Sequence, residues 1–262
     1  MGVITICSDW NGRDYYLGAL KGKLLSLCDG AQIIDLSQNI ESYNISQAAF
    51  IVKNAYHYYP EGSIHIITVN SELGTEHPHV LVKHKGHYFI GTDSGIFNLI
   101  FRDQPDEIIR IKAEENDAQL LNFPELAVFA PVAAHVFKNK PLSDLGEKTD
   151  ELYNMVPIRA LIQKDTMTGK VIYIDSYSNA IVNISKDRFY SSLEGRDFEI
   201  LVQSNQHLIT KISQHYNDVP EGDILAIFNS AGMLELAMNK GKLSKLLEID
   251  TNSDIRVKFH DR

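Results

Sequence analysis

The chain has 262 residues, a formal net charge of −9 and 44% hydrophobic residues, which suits one large or two medium globular domains. That charge argues against nucleic acid or an anionic membrane as the main partner, and no apolar run approaches the roughly 20 residues of a membrane span. The two cysteines, Cys7 and Cys28, fall on apolar faces and are expected to be buried thiols of a cytoplasmic protein, not a disulfide; the chain opens on a strand, so no signal peptide is expected.

An apolar strand from Val3 to Cys7 runs into Ser8-Asp9, a turn built on Asn11-Gly12, a second acid at Asp14, and a helix with Leu17, Leu20, Leu24 and Leu27 on one face. Gly18 and Gly22 are expected to let this helix lie close to a flat neighbour. Open α/β sheets place ligand groups at such strand–turn–helix junctions. The dinucleotide pattern G-x-G-x-x-G is absent. Two carboxylates here repel phosphate and suit hydroxyls, such as a ribose diol, or a cation. Alternatively, Asp9 and Asp14 cap the helix and load its first turn.

Gln32–Leu36 is the second strand. Asn44 and Gln47 form a capping box ahead of a helical stripe of Ile45, Ala48, Ala49 and Val52, which Pro60 and Gly62 bring to an end. Ser63–Val69, rich in β-branched residues, is the third strand. Three strands and two helices imply βαβαβ and a parallel sheet. A polar loop, 70–79, leads to two short strands, Val80–Lys83 and His87–Ile90, joined by Lys85-Gly86. After the turn Gly91–Gly95 come a strand at Glu107–Ile111 and a helix at Phe129–Phe137 entered through Pro131.

Residues 138–160 change character, with Pro141, Gly146, Pro157 and no sustained period. From Gly169 onward the pattern is β: Lys170–Ile174, Ala180–Ile184, Phe198–Gln203, Leu208–Ser213, Ile224–Asn229, Met233–Met238 and Ile255–Phe259, with one helix carrying Leu243, Leu246 and Leu247. Many short strands suggest a sandwich or barrel. The expected division is an α/β domain over 1–150, a connector over 151–164 and a mostly β domain over 165–262.

His77, His79, His84 and His87 invite a metal, but H-P-H is not a zinc spacing and no Cys or Asp cluster completes it, so no metal is expected. No G-x-S-x-G elbow or Walker loop occurs. Asp175-Ser176-Tyr177-Ser178-Asn179 puts an acid, an aromatic and an amide on one corner, able to hold a cation, stack a base and read its edge, or to be only a polar hairpin. Asn229-Ser230-Ala231-Gly232, taken alone, is an ordinary turn.

The joint order of these segments resembles the S-adenosylmethionine hydroxide adenosyltransferase family, relatives of the fluorinating and chlorinating enzymes that attack S-adenosylmethionine. Ser8–Gly22 matches T-D-F-G-x-x-D-x-Y-V-G-x-x-K-G, and Thr92-Asp93-Ser94-Gly95 stands at P-D-N-G. Phe129–Ala134 matches F-A-P-x-A-A, Asp175–Ile184 matches D-x-F-G-N-x-x-T-N-I, and Asn229–Asn239 matches N-S-x-G-x-L-E-x-A-x-N. The resemblance covers nearly the whole chain. It implies a Rossmann-like N-terminal domain with a smaller C-terminal β-barrel, and a homotrimer with ligand between the N-domain of one subunit and the C-domain of the next. It implies no cofactor, S-adenosylmethionine being itself substrate or ligand. By the same resemblance Asp9 grips the ribose diol, Asp14 lies close to the substrate, Asp175 meets the methionine ammonium, Ser230 lies near its carboxylate, and Tyr177 and Asn179 surround adenine.

The hydroxide-transferring relatives activate water with an Asp, an Arg and a His. Here Asn70 stands for the Asp, His77 for the Arg and Pro124 for the His. Asn70 could orient a water, and His77 is a replacement base with a reference pKa of about 6.5. Glu72 and Glu125 are acids gained beside the lost positions, where one of them could compensate; alternatively, these are solvated loop residues left after function has drifted. Glu125 would repel halide, against a halogenase. Three functions follow: hydrolysis of S-adenosylmethionine to adenosine and methionine, binding of S-adenosylmethionine or adenosine without turnover, or a structural module that keeps only the fold.

Overall fold

Strands with two apolar faces and helices with one build the first unit, Met1–Val156. In the computed structural model, which describes residues 2–74, 76–112, 122–202 and 207–260, β1 (Val3–Cys7) lies between β2 (Gln32–Ser37) and β3 (Ile64–Ile67), all parallel. β5 (His87–Thr92) continues the parallel set beside β3, while β4 (His79–His84), β6 (Glu107–Ile111) and β7 (Gly146–Thr149) are added antiparallel. The order is β2-β1-β3-β5-β4-β6-β7.

Alternation along the strands feeds two cores. Leu81 faces the layer that holds Ile4, Ile6, Phe129 and Leu17, Leu20 and Leu24 of α1 (Tyr16–Leu27). Its neighbours Val80 and Val82 face the other layer, with Ala48, Ala49 and Val52 of α2 (Ile45–Ala55) and Phe97 of α3 (Ile96–Ile100). Thus α1 connects β1 to β2 over one face and α2 connects β2 to β3 over the other. Strand order therefore reverses between β1 and β3, where open sheets leave a crevice at their carboxyl ends.

Several local expectations change. The Asn44 side chain does accept from the Gln47 N–H at 2.9 Å, but Gln47 Oε1 accepts from Glu41 N–H at 2.8 Å, so the box is not reciprocal. Gly18 and Gly22 have open space where a Cβ would stand and approach nothing in the described residues. The helix expected at Phe129–Phe137 starts earlier, with a π turn at Glu125–Phe129 leading into α4 (Ala130–Phe137). β7 lies inside a stretch without period; it is a short, largely solvated edge strand, and a Cβ at Gly146 would collide with the Arg110 carbonyl of β6.

The second unit is Pro157–Arg262. Its strands are β8 (Leu161–Gln163), β9 (Thr166–Ile174), β10 (Ala180–Ser185), β11 (Asp197–Val202), β12 (Leu208–Ile209), β13 (Ile224–Phe228), β14 (Met233–Met238) and β15 (Asp254–His260). They run β12-β11-β15-β9-β10-β14-β13, with β8 on β9, and a bridge from Ile212 to Ala226 ties the segment after β12 back to β13. The sheet is a nearly closed barrel around Met167, Phe189, Ile200, Leu234 and Val257. α6 (Leu243–Leu246) is a single turn. A helix absent from the strand pattern, α5 (Lys186–Leu193), starts where the Ser185 side chain accepts from Arg188 N–H at 3.3 Å and stops at Glu194 in the left-handed region. The stretch expected as a connector is shared: Tyr153 N–H donates to Asp93 Oδ2 at 2.8 Å in the first unit, and β8 pairs with β9 in the second.

Candidate functional site

Beyond Cys7 the chain turns through Asn11 and Gly12, with φ of 55° and 63°. Asp9 Oδ2 accepts from the Tyr43 N–H at 2.9 Å, which draws the stretch before α2 over the end of β1. α1 begins at Tyr16 with no side-chain cap and no acid in its first turn. Asp9 and Asp14 therefore do not cap the helix. They line a cavity of about 460 Å³, within the size range of small-molecule sites, together with Asn70, Glu72 and Glu125. No Lys, Arg or His lines it among the described residues.

An aromatic wall completes the cavity. Phe123 meets Trp10 and Tyr16 edge-on at centroid distances of 5.9 and 5.4 Å. Trp10 is the chain's single tryptophan. The pattern of helices and strands did not single out these rings. At the end of β1 the Cys7 thiol is pushed up to about 12, by burial and then by the Asp9 carboxylate, and stays protonated.

Asn70 takes the left-handed region, φ 52°, and turns the chain after β3 into the cavity. The next residue, Ser71, is fixed through its carbonyl, which accepts from His79 Nε2 at 2.9 Å. His79 packs edge-on against Phe129 at 4.9 Å, so one histidine joins this loop to the π turn. Burial lowers the His79 pKa and keeps the ring neutral. At the start of the π turn the Glu125 side chain is 2% exposed and lines the cavity. Its pKa is raised to about 7, chiefly by burial and further by Asp9, against a hydrogen bond from the Ser71 side chain.

His77 is not brought to this cavity. Its Nδ1 is 3.0 Å from the Asp93 carbonyl, and its ring meets Tyr153 edge-on at 4.6 Å. It therefore meets the turn after β5 and does not line the cavity where it was expected as a replacement base. His65 Nε2 and His87 Nδ1 are 3.2 Å apart inside the sheet layer, so these histidines belong to the core.

The other expected residues lie in the second unit, on two turns joined by one buried acid. Asp175 Oδ1 accepts from the Tyr177 and Asn179 N–H groups at 2.9 and 2.8 Å, and Oδ2 from Asn179 Nδ2 at 3.1 Å. Glu235, buried on β14, accepts from Asn179 Nδ2 at 3.1 Å, Tyr216 Oη at 2.7 Å and Asn229 Nδ2 at 3.1 Å. Asn229 Oδ1 in turn holds the Ser230 turn through Ala231 and Met233 N–H at 3.0 and 3.2 Å. Tyr177 is 75% exposed and Ser230 is exposed. Glu235 was not singled out; an acid amid the apolar run Met233–Met238 was the signal for it.

Residues 4–146 match the model of the SAM hydroxide adenosyltransferase N-terminal domain, and residues 169–256 match that of the C-terminal domain. The chain belongs to the SAM hydroxide adenosyltransferase family. It is 27% identical to an (R)-S-adenosyl-L-methionine hydrolase of Methanocaldococcus jannaschii, over 98% of this chain and 96% of that protein. Another protein of that name, from Thermus thermophilus, is 24% identical over 98% of this chain and all of its own length. A fluorinase of Actinopolyspora mzabensis is 21% identical over 97% and 96% of the two chains. A conserved protein of Thermotoga maritima has the same fold, with a TM-score of 0.86 at 23% identity over 98% of this chain and all of that one. The expected substrate-binding residues fall as Asp9 and Asp14 on the first unit, with the expected catalytic Asn70 beside them, and as Asp175, Tyr177, Asn179 and Ser230 on the second.

Proposed function

We propose that this protein binds S-adenosylmethionine and hydrolyses it to adenosine and methionine by displacement at C5′. The observation that carries this reading is the cavity beside the carboxyl ends of β1 and β3, lined by acids and by no Lys, Arg or His among the described residues, in a family member with relatives named as hydrolases of this compound. The ligand carries a sulfonium and an ammonium, and carboxylates stabilise both in a partly dry site. Asp9 takes the ribose diol and Asp14 lies beside it. Asn70 orients the water. Asp175 meets the ammonium and Ser230 the carboxylate, while Tyr177 and Asn179 receive adenine. Methionine leaves as a neutral thioether, so no general acid and no cofactor are needed. The first unit is Rossmann-like in this reading, and the working assembly is a cytoplasmic homotrimer, which light scattering tests. The decisive experiment is incubation with each sulfonium epimer of S-adenosylmethionine, followed by chromatography against a no-protein control. Adenosine and methionine in equal amounts are expected; their absence overturns hydrolysis.

A second reading, binding without turnover, draws on one observation. Asn70 cannot take a proton, and His77 spends its Nδ1 on the Asp93 carbonyl outside the cavity. It predicts Trp10 quenching by S-adenosylmethionine with no products.

A further inference from the structure

We propose that Glu125 is the group that takes the proton from the attacking water, with Ser71 and His79 as the residues that position it. This rests on the hydrolytic reading above and assigns the base that Asn70 and His77 do not provide. Glu125 has the geometry of a reactive group instead of a structural one. Its side chain is 2% exposed, yet Oε1 has no hydrogen-bond partner among the described residues. A buried carboxyl oxygen left without a partner is costly, a cost that a bound water in the adjoining cavity would relieve. The donors beside the carboxyl are the Ser71 hydroxyl and the residue's own backbone N–H. The charged group that faces it is Asp9, from the turn after β1, and no ion pair with Lys or Arg forms among the described residues. A carboxylate paired with Arg would be too weak a base. This one is desolvated and beside a like charge, which holds its pKa near neutrality, where a general base is most effective.

The backbone explains why Glu125 lies there. Pro124 precedes the π turn, and π turns widen the helix and re-aim side chains. His79 contacts Phe129 at the far end of the same turn and fixes the Ser71 carbonyl, so the donor and the base share one support. The step balances. A lone pair of water forms the O–C5′ bond as the C5′–S bond breaks, and the bonding pair goes to sulfur, neutralising the sulfonium. The water proton passes to the Glu125 carboxylate and then to solvent.

The test compares wild type, Glu125→Gln, Glu72→Gln and Ser71→Ala. Product formation is followed by chromatography and S-adenosylmethionine binding by Trp10 fluorescence. Removing a general base costs on the order of 10²- to 10⁴-fold in rate. Glu125→Gln is expected to lose kcat by that amount while affinity changes by less than about tenfold, in keeping with a base acting mainly in the transition state. The wild-type kcat is expected to fall below about pH 7, with Ser71→Ala moving that limb upward, because the hydroxyl holds the pKa down. Wild-type turnover with Glu125→Gln within threefold of it overturns the assignment and leaves the hydrolase reading standing; so does a loss confined to Glu72→Gln, or a Ser71→Ala profile that does not move. Binding without products from wild type, with either epimer, overturns the hydrolase reading and this assignment together.

Discussion

The Tyr43 N–H donates to Asp9 Oδ2 at 2.9 Å, so the acid after β1 is already held by the backbone ahead of α2 before any ligand arrives. A carboxylate fixed in this way presents its other oxygen in a set direction, and little ordering cost remains to be met on binding.

Asp9→Asn separates charge from geometry. The amide oxygen can still accept from Tyr43, so the loop is kept and the negative charge is lost. Hydrogen bonds to a charged group contribute about 1.5–3 kcal/mol. S-adenosylmethionine affinity, read by Trp10 fluorescence, is therefore expected to fall roughly 10- to 100-fold, with a change in Tm of less than about 3 °C. An equal loss of affinity for an uncharged analogue, adenosine, would point to the diol contact; a loss confined to S-adenosylmethionine would point to its positive charge.

Glu235 serves the second unit as Asp9 does not serve the first, since three side chains on three segments depend on it. Glu235→Ala would leave Asn229 Nδ2 and the Tyr216 hydroxyl without that acceptor and Asn179 Nδ2 with Asp175 alone. Leaving a buried donor unpaired costs about 1–3 kcal/mol, and a destabilisation of about 2–4 kcal/mol is expected in urea titrations. Tyr216→Phe removes one donor only and is expected to cost about 1–2 kcal/mol. If both variants unfold at the wild-type midpoint, the network does not support these turns.

Much of this architecture was legible in the chain because it rests on periodicity. β1, β6 and β14 fall on the apolar runs that predicted them, and Leu17, Leu20 and Leu24 bury the face their spacing implied. β7 was not legible, because an edge strand with solvated charges has no apolar alternation to read. α5 was obscured by a run of flanking strands, although Ser185, Asp187 and the left-handed stop at Glu194-Gly195 are a cap, a first-turn acid and a terminator. At the site, acids near strand ends could be found from their position. The standing of Glu125 depends on burial, a missing partner and a π turn, none of which has a sequence period. His77 was chosen because it stands at the family's Arg position and carries a near-neutral base, and its ring instead meets the Asp93 carbonyl.

The buried histidines and Glu125 should give the stability opposite dependences on pH. The His65 pKa is lowered to about 3, first by burial and then by His87, while the unfolded chain protonates near 6.5. Its contribution is complete above that value and is lost as pH falls from about 6.5 towards 3, at about 1.4 kcal/mol per pH unit for one proton. His79, His84 and His87 are lowered in the same direction, so the acid slope should exceed one proton. Glu125 is raised from 4.5 to about 7, so its favourable share is present below 4.5 and lost as pH rises to 7. Urea midpoints taken from pH 4.5 to 8 check both. His65→Asn is expected to flatten the slope between pH 6.5 and 4.5 by about one proton, whatever its absolute stability. Glu125→Gln is expected to gain stability relative to wild type between pH 5 and pH 8, the cost of a buried acid being removed. A Glu125→Gln difference that is the same at both pH values would mean that the carboxyl ionises freely in the folded state, and the base assigned to it would lose its desolvated character.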